Sequence, residues 1–106
     1  MKHINLENYN KELSGLQSRM MEVEAELSNL NPQSRTLELE LPMFEKRQNI
    51  LSCTFYNLIQ FLPKIRQDRQ LVRNQVKMLI ELNNRILMQL DILRKQYRPG
   101  IIPSIA

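Results

Sequence analysis

Apolar residues recur along this chain in two long three-and-four rhythms, separated by a stretch with a different period. Stepping alternately by three and four from Leu6 meets Tyr9, Leu13, Leu16, Met20, Val23, Leu27 and Leu30. Every step lands on an apolar or aromatic side chain, so the pattern predicts one seam on a helix of about residues 4–30. Ser14, Gln17, Glu24 and Glu26 fall outside that seam. Gly15 also lies off it and costs the helix about 1 kcal/mol relative to alanine.

The rhythm stops at LNPQS. Asn31-Pro32 is a turn dipeptide, and a residue before proline is pushed out of the α region. In TLELELP, Leu37, Leu39 and Leu41 alternate with Thr36, Glu38 and Glu40. That period of two predicts an irregular or extended linker over 31–41. Pro42 then suits the first position of a new helix, where its missing N–H is not needed.

From Phe44 the three-and-four step resumes through Gln48, Leu51, Phe55, Leu58, Leu62, Ile65, Arg69, Val72, Val76, Leu79, Asn83, Ile86, Leu90, Leu93 and Tyr97. Only Gln48, Arg69 and Asn83 break its apolar character. The pattern predicts a long helix over about 42–97, kinked or broken near Pro63, which deletes a hydrogen bond and crowds the preceding turn. Unbroken, such a helix would be about 84 Å long, a rod unable to hide its seam alone. The fold expected is all-α: a helical hairpin or an elongated helical bundle with coiled-coil seams.

Beyond the seam lies a surplus of apolar residues: Ile50, Cys53, Tyr56, Ile59 and Phe61, then Leu71, Met78, Ile80, Leu82, Leu87, Met88 and Ile92. A helix apolar on most sides is normally surrounded rather than merely paired. A two-stranded rod therefore suits residues 6–30 better than residues 50–93. The second half reads as the middle of a bundle with neighbours on at least two faces.

Charge divides the chain in the same place. Residues 1–41 carry four basic and seven acidic side chains, and residues 42–106 carry eleven and four. Acidic and basic helices can meet within one chain or between subunits, with complementary flanks fixing partner and orientation. The densest basic stretch, LPKIRQDRQLVRNQVKML, wraps Lys64, Arg66, Arg69, Arg73 and Lys77 around the helix instead of along one stripe. No aromatic lies between Phe61 and Tyr97. Nucleic-acid surfaces gather cations on one face, often with aromatics between them, so a role flanking a protein interface is favoured over nucleic-acid binding.

The polar seam positions carry further information. A polar residue in a seam costs stability but can set register and oligomer number. Asn83 could pair with its own copy in a homo-oligomer. Arg69 would repel its own copy, which favours a heteromeric partner or an acidic helix of the same chain.

Candidate chemistry is sparse. Two glycines cannot build a phosphate loop, and one histidine with one distant cysteine, His3 and Cys53, cannot make a zinc site within one chain. Glu22, Glu24 and Glu26 diverge around their helix, and no nucleophile with an adjacent base is visible. The six methionines suit core filling, with Met20 and Met21 at or beside the seam. A single cysteine allows no internal disulfide. No apolar run approaches a membrane span, and the N-terminus lacks the apolar core of a signal peptide.

The expectation is therefore an intracellular, cytoplasmic, non-enzymatic protein without cofactors. It comprises an acidic coiled-coil helix (1–30), a linker (31–41), a basic long helix or helix pair (42–97) and a non-helical tail (98–106). The tail's isoleucines could dock into a groove of a partner. Function is expected to be helical protein–protein interaction within a larger complex, hetero-oligomeric in preference to homo-oligomeric. The residues expected to bind the partner are Leu13, Leu16, Met20, Val23, Leu27, Arg69, Val76, Leu79, Asn83, Ile86, Leu90 and Leu93. The runner-up is a small export or assembly chaperone, of the bacterial secretion type, holding a partner's amphipathic helix. A nucleic-acid-binding helical protein ranks third.

Overall fold

The computed structural model describes residues 6–61 and 70–97, which form three helices packed on one another, with no strand among them: α1 (Leu6–Ser28), α2 (Leu37–Ile59) and α3 (Gln70–Gln96). The all-α bundle expected from the two rhythms is what the chain adopts. The long second stretch is two helices, since α2 ends at Ile59 and Gln60 and Phe61 turn away. Pro63, Arg69 and the tail lie outside the described residues.

The Asn31-Pro32 turn forms where expected. The Asn31 side-chain oxygen accepts the Gln33 N–H at 3.0 Å, and its carbonyl accepts the Ser34 N–H at 3.0 Å. The extended linker does not extend as far as expected. Residues 37–41 are the first turns of α2, and Thr36 stands at its N-cap, its carbonyl accepting from Leu39 and Glu40. The reason is an ambiguity of spacing: Leu37 and Leu41 are two steps apart in a strand rhythm but also one helical turn apart. The helix buries both and leaves Leu39, on the opposite side, 74% exposed. Glu38 and Glu40 sit in the first turn, where the helix dipole favours negative charge. Pro42 is inside the helix rather than at its first position. It lacks the N–H that would reach the Glu38 carbonyl, a loss confined to the helix's N-terminal end.

Cross-helix contacts fix the directions. Tyr9 and Leu58 meet, and so do Glu26 and Arg47, so α1 and α2 run antiparallel. Ser52 meets Asn83 and Glu45 meets Arg94, so α2 and α3 are antiparallel too. Between α1 and α3 the contacts keep a constant separation of 61 residues: Ser14 with Gln75, Glu24 with Arg85, Ser28 with Gln89. Those two helices are parallel and in one register over their length. The bundle runs up, down and up. α1 packs extensively on both neighbours, while α2 and α3 share the thinnest seam.

The seams meet inside the bundle. Leu13, Leu16, Met20 and Val23 of α1 have no exposed surface, and they pack with Leu37, Leu51 and Phe55 of α2 and with Val72, Leu79 and Ile86 of α3 in one apolar core. Each such side chain contributes about 1.5–3 kcal/mol on burial. Leu82, off the three-and-four seam, is buried as well. Tyr9 closes one end of this core: its hydroxyl donates at 2.9 Å to the Leu58 carbonyl at the C-terminal turn of α2, which also accepts the Phe61 N–H at 3.1 Å. Burial pushes the Tyr9 phenol above its ordinary value of 10.

The charge division is resolved within the chain. Arg85 of α3 donates through Nε to Glu24 of α1 at 2.6 Å, which raises the Arg85 pKa. Arg47 of α2 reaches Glu26 of α1 at 2.8 Å while its guanidinium lies over the Phe44 ring, 5.5 Å from the centroid. These exposed pairs choose partners and register more than they add stability.

Candidate functional site

The helices consume their main seams on one another. Of the residues expected to contact a partner, Leu13, Leu16, Met20, Val23, Leu27, Val76, Leu79, Ile86, Leu90 and Leu93 are all buried in the chain's own core. The sequence shows that these positions must be covered, and the covering surface is another helix of the same chain. Candidate contact surfaces therefore lie on the outside of the bundle.

Asn83 is also inside, 3% exposed, and meets Gln48, 1% exposed, across the α2–α3 seam. The Gln48 Nε2 donates to the Asn83 Oδ1 and, at 2.8 Å, to the Ser52 hydroxyl, which itself donates to the Asn83 Oδ1 at 2.8 Å. Two of the three polar interruptions of the second rhythm, Gln48 and Asn83, are thus each other's partners. The Gln48 Oε1 is buried with no protein partner. The cluster pins one register of the antiparallel pair, because sliding α3 by a turn would put Asn83 against leucine. Ser52, off the seam and small, carried no sequence signal for this role.

Outside the core, α2 carries a second stripe. Leu39, Met43, Lys46, Ile50 and Cys53 follow one another by three and four, and all five are exposed on the side opposite the buried stripe. The surplus apolar residues on α3 are exposed too, except the buried Leu82; they include Leu71, Met78, Ile80, Leu87, Met88 and Ile92. Of those on α2, Ile59 is half-buried against the core, whereas Ile50, Tyr56 and Cys53 are open. Leu39 was hidden from the sequence reading because 31–41 read as linker, and Met43, one residue inside the expected helix, had no earlier helical turn to align with.

The flanks of the bundle differ in character. The α1–α3 flank is polar, bridged by the Ser14–Gln75, Glu24–Arg85 and Ser28–Gln89 contacts. The α2–α3 flank is apolar over one half: the register set by Ser52–Asn83 brings Tyr56 of α2 level with Ile80 of α3, and Leu87 follows two turns later. Its other half is closed by the ion pair of Glu45 with Arg94 at 2.6 Å, beside that of Asp91 with Lys95 at 3.1 Å. Two open clefts flank Leu30 at the end of the bundle, of about 390 Å³ toward Met43 and Phe44 and about 190 Å³ toward Gln89 and Ile92.

Among the described residues, no three His, Cys, Asp or Glu side chains converge to hold a metal, and Cys53 sits exposed on the α2 stripe. No described helix is long and apolar enough to cross a membrane. Comparison with protein-family models, with curated proteins and with solved structures gave no match.

Proposed function

We propose that this chain is a non-enzymatic helical interaction subunit, which recognises a protein partner through the outer faces of a bundle that closes its own core. The observation that carries this reading is α2 with two apolar faces. Membership of a three-helix bundle requires one; the second, Leu39, Met43 and Ile50, is left to solvent. An exposed apolar stripe, here with Lys46 at its centre, marks interaction sites in soluble proteins.

The test is a paired substitution, Leu39→Glu with Ile50→Glu, compared with Leu16→Glu with Val23→Glu. The outer pair leaves helicity and the melting curve intact and abolishes stoichiometric co-purification of a partner from the native cells. The inner pair destroys the fold. A complex that forms equally well with the outer pair contradicts the reading.

A second reading has one observation in its favour. A chain whose seams are satisfied internally is equipped to stay folded alone, as a small assembly or export chaperone must while it holds another protein's amphipathic helix. An obligate subunit would instead depend on its assembly for stability. A molten isolated chain rules the chaperone out; cooperative unfolding is expected of either reading, and release of the held protein once it reaches its own assembly is what favours the chaperone.

A further inference from the structure

We infer that the apolar half of the α2–α3 groove is a receptor for an acidic amphipathic helix of a partner protein, which would complete a four-helix bundle. This rests on the reading of the protein as an interaction subunit and adds to the outer α2 stripe a second, separate contact surface with its own helical ligand.

The groove's shape follows from the register already described. Ile80 and Leu87 are seven residues apart on α3, both exposed, and Tyr56 stands level with Ile80 across the groove, 55% exposed. Two antiparallel helices present between them a trough that accepts a third helix, and apolar side chains at a heptad interval on its wall match knobs at the same interval on the incoming one.

Charge then selects among possible helices. On α3, Arg73, Lys77 and Ile80 follow one another by four and three, so both cations border the same groove. The other α3 cations have partners: Arg85 with Glu24, Arg94 with Glu45, Lys95 with Asp91. Arg73 and Lys77 have none among the described residues. Cations left unpaired beside an apolar row call for an apolar stripe flanked by carboxylates.

No described helix of a second copy offers that surface: α3 has exposed apolar residues but carries five cations against Glu81 and Asp91. The exposed outer face of α1 bears the carboxylates Glu12 and Glu22 but no large apolar residue apart from Met21, which lies toward α3. The outer stripe of α2 has the apolar residues but carries Lys46 at its centre. The occupant therefore comes from another protein. A nucleic acid fits poorly, since Ile80 and Leu87 occupy positions where phosphate contacts would be needed.

The experiment uses the full chain and two labelled three-heptad helical peptides with identical leucine seams, one flanked by glutamates and one by lysines, followed by fluorescence anisotropy. The acidic peptide binds, and the lysine peptide does not. Arg73→Glu with Lys77→Glu weakens the acidic peptide by at least about tenfold and admits the lysine peptide. Ile80→Glu with Leu87→Glu abolishes binding with helicity unchanged, while Leu39→Glu with Ile50→Glu has no effect. Equal binding of both peptides, or of neither, overturns the inference. So does competition by a single-stranded oligonucleotide, or a doubling of mass without peptide that Ile80→Glu with Leu87→Glu removes. If the acidic peptide is lost only with Leu39→Glu and Ile50→Glu, the groove is wrong and the interaction subunit stands.

Discussion

Ser52 donates its hydroxyl to the Asn83 Oδ1 at 2.8 Å across the α2–α3 seam, in a layer where the neighbouring core positions are leucine, phenylalanine and isoleucine. That bond, with Gln48 donating to the same oxygen, makes the middle of the seam the buried place, among the described residues, where α2 and α3 recognise each other by more than shape, as the Glu45–Arg94 ion pair does at the surface. An apolar seam tolerates slippage by a turn; a buried amide cluster does not.

Removing one member of the cluster is therefore costlier than removing both. Asn83→Leu alone leaves the buried Gln48 amide with only the Ser52 hydroxyl as acceptor, takes the acceptor from Ser52, and costs about 1–3 kcal/mol. Gln48→Leu combined with Asn83→Leu comes close to neutral, because both polar partners leave together. A double-mutant cycle by urea denaturation measures the coupling, and strictly additive losses would show that the two amides act independently.

Tyr9 gives the fold a pH dependence at the alkaline end. Burial raises its folded-state pKa, so the unfolded chain loses the phenolic proton at a lower pH than the folded one. The stability this represents is complete below pH 10, the ordinary tyrosine value, and is lost as pH rises from there through the folded value. Tyr9→Phe costs about 1 kcal/mol at neutral pH through the lost bond to the Leu58 carbonyl. It also flattens the fall in stability above pH 10. Tyr97, raised by burial and then by the Glu38 carboxylate, contributes in the same direction and leaves a residual fall in stability.

Gly15 offers a substitution with the opposite sign. It lies in the exposed face of α1 with ordinary helical backbone, and a methyl group added there meets no atom within 4 Å. Gly15→Ala should stabilise the chain by about 0.5–1 kcal/mol, seen as a higher urea midpoint at unchanged slope. A loss of stability would mean that this face is covered in solution.

The bundle was largely legible in the sequence, for a reason visible in α1. Its seam from Tyr9 to Leu27 is unbroken and admits only a helical reading, and every member is buried. The start of α2 was not legible because Leu37 and Leu41 satisfy both a two-residue and a four-residue spacing. Only the cover that the core provides decides between them. The candidate surfaces were half legible. The surplus apolar residues were evident, but a seam states only that it must be covered and never by which chain. That choice depends on the turn at Asn31-Pro32 and on the cross-helix pairs, Glu24 with Arg85 and Glu26 with Arg47, which fold the acidic helix back onto the basic ones.

The claim on which the rest depends is that the three seams close within a single chain. Thermal unfolding followed by far-ultraviolet circular dichroism, over a roughly hundredfold range of protein concentration, tests it most directly. An intramolecular core gives one cooperative transition whose midpoint does not move with dilution. A midpoint that falls steadily on dilution would mean that the seams are shared between chains, and would contradict the account.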